Sequence, residues 1–420
     1  MMSAIGALVG LVVAIVLIIR KVSPVYSLLL GALVGGLLGG LGLEATATTM
    51  VSGVKDITPA IVRILAAGVL SGVLIKSGAA ESISHTIVSK LGQKHIYMAL
   101  ALSVMLLTAV GVFIDVAVIT VAPVAIMIGQ KVGASRLKIL LAMVGGGKCG
   151  NIISPNPNTI IAAENMDAPL SSVMGAGVIP AIVGLLVTIY LIIPLMPNKE
   201  LYTKDVVANS TDNGDKQLPS FWASIAGPLV AIVLLSLRPL AGIVVDPLIA
   251  LPVGGIVGLL TTRTWKGAGE SMRYGLEKMS VVAVLLVGTG AIAGIIKSSA
   301  LTDMLISLMG SGEGGRVLLA PLSGALMSAA TASTTAGATV ASASFGSAII
   351  ASGVGAVWGA AMINAGATVL DHLPHGSFFH ATGGSVEMGI KERLRLIPYE
   401  SLVGLVLTLC SVATYLIVGA

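Results

Sequence analysis

Apolar stretches of about 20 residues recur along the whole chain, and short polar segments separate them. A helix of this length crosses the hydrocarbon core of a bilayer, so each stretch is a candidate membrane span. The stretches are Met2–Ile19, Val25–Leu43, Thr58–Ile75, Ile139–Ala163, Val173–Leu195, Phe221–Leu237, Ala241–Leu260, Ser280–Ile296, Val354–Phe379 and Ser401–Val418. This pattern predicts an all-α integral membrane protein.

Two further apolar stretches, Ile96–Met127 and Val317–Ile350, are each too long for a single membrane helix. Polar or small residues interrupt each stretch at its centre, near Asp115 in the first and near Ser333 in the second. The interruptions predict two re-entrant helical hairpins, each of which enters the membrane and returns to the side from which it came.

The two halves of the chain show the same features in the same order. The segment Gly72–Ser77 is echoed by Gly294–Ser298, and an amphipathic segment and a predicted hairpin follow each copy. A helix interrupted by prolines comes next, at 154–159 in the first half and at 371–376 in the second. The sequence is therefore expected to contain a first repeat, a hydrophilic linker and a second repeat, at 1–196, 197–220 and 221–420.

Charge then predicts the orientation of the repeats. The chain has 24 Lys and Arg residues and a formal net charge of +5, yet only 10% of its residues are charged, against roughly 25% in soluble domains. If the hairpins are re-entrant, most basic residues lie on the side that Arg20 and Lys21 face, and the positive-inside rule assigns that side to the cytoplasm. The third and eighth spans then run in opposite directions, which makes the repeats inverted. The first hairpin and the linker are expected on the cytoplasmic side, and the second hairpin and both termini on the outer side.

Inverted repeats with discontinuous helices are typical of secondary transporters, whose substrate sites form near the bilayer midplane. The first discontinuity lies in the run Gly145–Thr159, where two prolines remove backbone donors and unwind the helix. A helix N-terminus after the break would favour a carboxylate. The polar residues expected to bind substrate here are Asn151, Ser154, Asn156, Asn158 and Thr159. The alternative is a structural kink that is capped by its own polar side chains.

Two charged residues stand inside apolar segments. Lys148 is a charge that costs roughly 2.5–3.5 kcal/mol at the bilayer centre on insertion scales. It is a counter-charge for an anionic substrate, a partner for a buried acid, or a lysine that snorkels from a helix start. Asp115 is the lone acid of a long apolar run, which suits a carboxylate that couples transport to protons. Its alternative role is to cap amides at the hairpin tip.

The second hairpin tip and the second discontinuity carry the remaining candidates. Short hydroxyl side chains at the tip suit closure over a ligand, although Ser and Thr also bond back to their own helix. The substrate-binding candidates here are Ser333, Thr334, Thr335, Thr339, Asn364, Thr368, His375 and Ser377. Asp371 and His372 are the candidates for proton coupling, because titratable groups in an apolar segment suit proton handling. A zinc site at the histidines is only weakly supported, because no cysteine or second acid completes a recognised ligand spacing. No metal and no cofactor is predicted.

At these positions the sequence resembles the gluconate:proton symporter family of the wider ion transporter superfamily. Phe113-Ile-Asp-Val-Ala-Val resembles the family's Phe-Phe-Glu-Val-Gly-Phe, and Ser154-Pro-Asn-Pro-Asn resembles its Pro-Pro-His-Pro-Gly. Gly337-Ala-Thr-Val-Ala resembles its Gly-Ser-Ala-Thr-Val-Ala, and the segment from Asp371 stands where typical members carry Ser-His-Val-Asn-Asp-Ser-Gly-Phe-Trp. Asp115 replaces a glutamate and Asn156 a histidine, which marks a divergent member. The resemblance implies a scaffold, a transport domain that moves like an elevator, and a homodimer.

These observations predict a proton-coupled symporter of a small organic anion, such as gluconate, another sugar acid, or a hydroxy- or dicarboxylate. We expect a multi-pass protein of the cytoplasmic (inner) membrane with no nucleic-acid partner. The alternative within the superfamily is a sodium-coupled transporter of a carboxylate or amino acid, because carbonyls, Asn and Thr of broken helices can hold sodium. An intramembrane enzyme is less favoured because the sequence has no HExxH or GxSxG motif. A channel is also less favoured, because broken helices suit a transporter with alternating access better than a continuous pore.

Overall fold

The computed structural model describes residues 2–92, 95–197, 218–301, 304, 313–374 and 376–419. Within these ranges the chain folds into helices. They are α1 (Ala4–Ile19), α2 (Pro24–Leu38), α3 (Leu43–Lys76), α4 (Ala79–Leu91), α5 (Ile96–Ala109), α6 (Ile114–Val132), α7 (Arg136–Asn151), α8 (Pro157–Asn165), α9 (Leu170–Ala176), α10 (Val178–Val187, continued by Thr188–Ile192 and Ile193–Leu195), α11 (Phe221–Ala241), α12 (Pro247–Thr261), α13 (Ala268–Lys297), α14 (Glu313–Thr331), α15 (Thr334–Ala351), α16 (Ala356–Gly366), α17 (Ser377–Ser385), α18 (Ile390–Leu394) and α19 (Ile397–Thr414). The prediction of an all-α protein is confirmed for the part of the chain that the structure describes.

Helices α3 and α13 pack against each other along their length as an antiparallel pair. Gly53 near the start of α3 lies against Gly290 and Gly294 near the end of α13, whereas Gly68 lies against Gly275. The absence of a Cβ atom at these positions lets the two backbones approach closely. Packing of backbone against backbone therefore holds the pair together.

These two helices are longer than the predicted spans Thr58–Ile75 and Ser280–Ile296. The structure has α3 at 34 residues and α13 at 30 residues. At about 1.5 Å per residue α3 is about 50 Å long, which exceeds the hydrocarbon thickness of about 30 Å. Hydropathy detects only the apolar part of such a helix, and the first half of each continues as helix through charged residues such as Glu44 and Glu270.

Two shorter antiparallel pairs flank α3 and α13. Helix α1 packs against α2, with Gly10 against Gly31 and Gly35, and α11 packs against α12 in the same manner. Helix α2 also contacts α13, and α12 contacts α3. These six helices (α1–α3 and α11–α13) are called the framework helices below.

The remaining long elements form a second set, called the hairpin group. Each predicted hairpin stretch folds as two helices joined by a short turn, α5 with α6 and α14 with α15. Helix α7 packs on α5 and α16 packs on α14, and contacts also cross between the halves, from α8 to α15 and from α17 to α6. Helices α10 and α19 pack against each other and complete the group together with α9 and α18.

The predicted span Ala241–Leu260 begins too early in the sequence. Helix α12 starts at Pro247, and the Asp246 side chain caps it by accepting a hydrogen bond from the Leu248 amide at 2.8 Å. Gly242 has a φ of +70°, which ends the preceding helix. An aspartate followed by proline is a helix start that hydropathy alone does not detect.

Arg63 of α3 connects the framework helices to the hairpin group. It donates hydrogen bonds to both carboxylate oxygens of Asp246, with Nη2 at 2.7 Å from Oδ2, and it also pairs with Glu164 of α8. The hydrogen bond from Arg63 is the main cause that lowers the pKa of the Asp246 carboxyl. Arg63 and its two partners line a cavity of about 250 Å³.

The structure agrees with the prediction of a multi-pass membrane protein. Among the described residues, five helical stretches are long and apolar enough to cross a membrane, namely Leu43–Lys76, Ile114–Val132, Leu170–Leu195, Trp265–Lys297 and Ile390–Gly419. Several shorter helices are also apolar, including α1, α2 and α5. Most of the predicted linker, and His375, lie outside the described residues.

Candidate functional site

The first helix discontinuity is shorter than the sequence predicted. Helix α7 ends at Asn151 and α8 begins at Pro157, so only 152–156 are non-helical, and Asn158 and Thr159 belong to the first turn of α8. Pro157 occupies the first helical position, where proline is favoured because no backbone donor is needed there. The Asn156 side chain caps the helix by accepting hydrogen bonds from the amide and hydroxyl of Thr159, each at 3.1 Å.

The second discontinuity is longer than predicted. Helix α16 ends at Gly366 and α17 begins at Ser377, so the non-helical segment starts before the predicted range 371–376 and includes Thr368. Asp371 and His372 lie in this segment and are buried, with exposures of 2% and 0%. Both predicted interruptions are therefore present as breaks between helices.

A buried amide network joins the two interrupted helices. The Asn158 amide donates to the Asn364 side-chain oxygen at 2.7 Å, and the Asn364 amide donates to the Thr159 hydroxyl at 3.0 Å. The Asn156 amide donates to the side-chain oxygen of Asn151 at 2.5 Å. These bonds tie α8 to α16, so the two discontinuities lie next to each other.

A buried ion pair makes the second connection. The Lys148 ammonium, at the end of α7, donates to Asp371 Oδ1 at 2.7 Å and to the Thr368 carbonyl at 2.5 Å. His372 Nδ1 lies 3.0 Å from Lys148 Nζ and 3.0 Å from Asp371 Oδ1. Lys148 is completely buried, so it partners a buried acid and does not snorkel to an interface.

The tips of both hairpins face the same region. Gly111 forms the first tip with a φ of +101°, and Asp115 follows in the first turn of α6, where its Oδ1 accepts from the Val116 amide at 2.9 Å. Ser333 caps α15 at the second tip, accepting from the Ala336 amide at 3.3 Å. Thr334 beside it donates to Asp371 Oδ2 at 2.5 Å, which connects the second tip to the second discontinuity.

A cavity of about 880 Å³ lies between the framework helices and the hairpin group. The N-terminal turns of α6, α15 and α17 line one wall, and residues of α13 and the start of α2 line the other. Three helix N-termini present partial positive charge to the cavity, which favours a negatively charged group.

Only some of the predicted site residues line this cavity. Those that do are Asp115, Asn151, Ser333, Thr334, Thr335, Asp371 and Ser377. Those in the layer behind it are Lys148, Ser154, Asn156, Asn158, Thr159, Thr339, Asn364, Thr368 and His372. In that layer, Thr339 bonds back to its own helix at the Thr335 carbonyl (2.6 Å). The Ser154 hydroxyl is buried and has no hydrogen-bond partner among the described residues.

Sequence reasoning missed a second buried ion pair. Arg393 of α18 donates to both carboxylate oxygens of Glu400 in the first turn of α19, and both side chains are at most 1% exposed. The predicted topology instead assigned Arg393 to a loop. The signal was present in the sequence, because the two charges are seven residues apart and immediately precede an apolar span. Glu277 and Lys278, which line the framework wall of the cavity, were missed as well.

Comparisons with known proteins support a transport function. The sequence model of the GntP family permease matches residues 2–418. An "uncharacterized transporter" of Haemophilus influenzae is 56% identical over 411 residues, which cover 98% of this chain and 97% of that protein. The high-affinity gluconate transporter of Escherichia coli K12 is 23% identical over 81% of this chain and 83% of its own length. The D-serine transporter of the same strain is 24% identical over 68% of each chain.

A solved structure has a similar fold. The YdaH transporter of Alcanivorax borkumensis, described as having an unusual topology, aligns with a TM-score of 0.59. The alignment covers 90% of this chain and 89% of the other, at 17% sequence identity. The family match over almost the whole length, the cavity between two helical groups and the apolar helices lead to one conclusion: the chain is a multi-pass membrane transporter that belongs to the GntP family of permeases.

Proposed function

We propose that this transporter is a proton-coupled symporter of a small organic anion, such as gluconate, another sugar acid, or a hydroxy- or dicarboxylate. The main support is the buried Lys148–Asp371 pair, whose acid lines a cavity bounded by three helix N-termini. An anion in this cavity would be stabilised by the N-termini of α6, α15 and α17. Relatives named for transport of gluconate, L-idonate and D-serine all take substrates with a carboxylate group.

The charges around Asp371 give a physical reason for proton coupling. Lys148 and Asp371 neutralise each other and both side chains are almost fully buried, so an anion that arrives alone adds a net negative charge. An uncompensated buried charge is costly, and a proton on Asp371 or His372 would cancel it. Each ligand then increases the affinity for the other, and this mutual dependence is the thermodynamic basis of symport.

Protonation would also change the contacts of the second hairpin tip. Asp371 uses Oδ1 to accept from Lys148 and Oδ2 to accept from Thr334. A protonated carboxyl retains fewer acceptor sites, which weakens the connection between the tip and the second discontinuity. Asp115 is the second coupling candidate, because it lines the same cavity from the first tip.

Two inverted repeats and elevator-type movement complete the proposal. Helix α3 is the third helix of the first half, α13 is the third helix of the second half, and the two are antiparallel. The contact of α2 with α13 corresponds to the contact of α12 with α3. The contacts of α8 with α15 and of α17 with α6 are related in the same way. The framework helices would serve as the scaffold, in the homodimer that the family resemblance implies, and the hairpin group as the moving domain.

Transport by purified protein in liposomes tests the proposal. We expect counterflow with at least one of D-gluconate, L-idonate, D-glycerate and succinate, and accumulation driven by a pH gradient with an alkaline interior. Asp371→Asn should abolish gradient-driven accumulation, and Asp115→Asn measured in parallel would show whether the first tip carries a proton as well. The matched control is Asp56→Asn, which removes an acid from an exposed pair with Lys297.

The outcomes separate the alternatives. Accumulation under a sodium gradient with no effect of the pH gradient would favour the sodium-coupled transporter. Absence of exchange with every compound of the panel would contradict transport of a small organic anion.

A further inference from the structure

The Arg393–Glu400 pair lies directly behind the proposed coupling site. Arg393 Nη1 donates to Glu400 Oε1 at 2.5 Å and Nη2 donates to Oε2 at 3.1 Å. Arg393 also donates to the Thr382 hydroxyl at 3.2 Å, and its guanidinium lies 5.0 Å from the centre of the Phe379 ring. Replacing both partners of a buried ion pair by apolar residues is often neutral or stabilising, so stability alone does not explain why this pair is buried.

Glu400 contacts the coupling site through two different groups. Its carboxylate Oε2 lies 3.8 Å from His372 Nδ1, and its backbone carbonyl lies 3.4 Å from Lys148 Nζ. Thus Glu400 is close to both the imidazole and the ammonium that surround Asp371. Arg393 in turn holds the Glu400 carboxylate from the opposite side.

The neighbours of His372 define which ring nitrogen carries the hydrogen. Nε2 lies 3.0 Å from the Ile397 carbonyl, which can only accept, so Nε2 carries the hydrogen. Nδ1 lies 3.0 Å from both the Lys148 ammonium and Asp371 Oδ1, so it accepts from Lys148 when the ring is neutral and donates to Asp371 when the ring is protonated. A second proton can enter the ring only at Nδ1, where Asp371 at 3.0 Å and Glu400 at 3.8 Å are the available carboxylates.

The formal charges of this buried cluster add up to zero. Lys148 and Arg393 are positive, Asp371 and Glu400 are negative, and His372 adds no charge while Nδ1 carries no proton. The neighbouring groups that face it are Thr334 and Ser401, which are uncharged, and Asp115, Glu277 and Lys278, which line the more open cavity.

We propose that Arg393 and Glu400 must balance each other's charge for coupling to work: because each charge cancels the other, neither is left to compensate a bound anion, and anion binding depends on a proton. Glu400 and Arg393 are positioning residues that act through His372 and Lys148. This inference rests on the proposed proton-coupled function. It assigns a role in coupling to two residues outside the cavity.

The variant Glu400→Gln should uncouple transport, because the cluster then carries a charge of +1 before any proton binds. In the wild-type protein, affinity for a monocarboxylate should fall about tenfold per pH unit above the pH at which the cluster releases its proton. In Glu400→Gln the affinity should change less than about twofold over the same range. Arg393→Gln should have the opposite effect, with weaker anion binding than the wild type at neutral pH, because the resting charge becomes −1.

The double variant Arg393→Gln/Glu400→Gln distinguishes a charge effect from a loss of structure. It restores a neutral cluster, and the two amides can hydrogen-bond to each other, so the wild-type pH dependence should return. Asp56→Asn serves as the control, because it removes one negative charge at an exposed site. The probe is whichever monocarboxylate of the liposome panel gives the highest uptake. A monodisperse peak in size-exclusion chromatography shows that each variant folds.

Membrane potential provides an independent measurement. Symport of one proton with one monovalent anion moves no net charge, so a potassium–valinomycin potential should not change wild-type uptake. Uptake by Glu400→Gln should increase with an interior-positive potential. If wild-type uptake depends on pH and Glu400→Gln keeps the same dependence, the role of the pair is wrong while symport stands. If the wild type shows no pH dependence, proton symport itself is wrong.

Discussion

The Lys148 ammonium is fully buried, and the groups that surround it explain why it is tolerated in an apolar segment. Asp371 neutralises it at 2.7 Å, and the Thr368 and Glu400 carbonyls accept from it at 2.5 and 3.4 Å. A buried charge is stable only when it is paired and hydrogen-bonded. The environment of Lys148 meets both conditions with groups from the second half of the chain.

Single and double substitutions of this pair should have different effects. Lys148→Met leaves the Asp371 carboxylate buried without its cation and should destabilise the fold by about 3–5 kcal/mol. Lys148→Met/Asp371→Asn removes both charges, so most of this stability should return while pH-driven transport stays absent. Thermal unfolding in detergent together with liposome uptake measures both properties.

The exposed pair Lys297–Asp56 supplies the control for these substitutions. Lys297→Met should change stability by less than about 1 kcal/mol, because exposed ion pairs contribute little. Equal destabilisation by Lys148→Met and Lys297→Met would contradict the importance of burial at Lys148.

For individual residues, the sequence identified the polar residue types of the site more reliably than the location of each side chain relative to the cavity. Asp115, Ser333 and Ser377 line the cavity as substrate or coupling residues should, but Asn158 and Asn364 bond to each other behind it. A polar residue in an apolar segment must find a polar partner, and the pattern does not reveal whether that partner is a ligand or another side chain. The direction of each side chain follows from the packing of both halves.

At the scale of elements, the helix breaks were predictable and their limits were not. Prolines and dense polar residues marked both discontinuities, yet Pro157 starts α8 and the second break extends back to Ala367. Proline is compatible with the first turn of a helix as well as with its interruption, so its presence leaves the boundary open by several residues. The capping bonds of Asn156 determine where α8 begins.

Close packing of α3 on α13 leads to a prediction for one glycine. A Cβ at Gly275 would overlap the Gly68 backbone, whereas a Cβ at Gly269 of the same helix would meet no atom within 4 Å. Gly275→Ala should therefore destabilise the protein by about 1–3 kcal/mol through overpacking. Gly269→Ala should leave the melting temperature in detergent unchanged or slightly raised, because alanine favours a helix. Equal melting temperatures for the two variants would contradict this close approach.

At the scale of the whole molecule, the cavity separates the framework helices from the hairpin group, and Arg63 connects the two. Asp246, on the framework side, and Glu164, on the hairpin-group side, are both partners of the same guanidinium. If the hairpin group moves against the framework, the pair with Glu164 must break during transport, whereas the pair with Asp246 can persist.

Reversible cross-linking tests this movement. The variant Arg63→Cys/Glu164→Cys is made in a background where Cys149 and Cys410 are replaced. Joining its two cysteines with a short bifunctional reagent that forms disulfide bonds should remove at least about 90% of uptake. Cleavage of these bonds with a reductant should restore uptake. The matched control is Arg63→Cys/Asp246→Cys, which joins two framework positions and should keep its uptake. Full uptake by the first cross-linked pair would contradict elevator-type movement.

The membrane environment, the transporter class and the approximate order of helices, hairpins and breaks follow from the amino-acid sequence. Scarce charge and recurrent apolar stretches require a bilayer, and prolines and polar residues mark the two interrupted helices. The contacts between charged residues follow from the tertiary fold alone. Lys148 and Asp371 are 223 positions apart, and Glu400, with Arg393 bound to it, joins the same buried cluster only when α19 packs beside α7. Pairing of buried charges depends on distances between helices, and these arise when the two halves fold against each other.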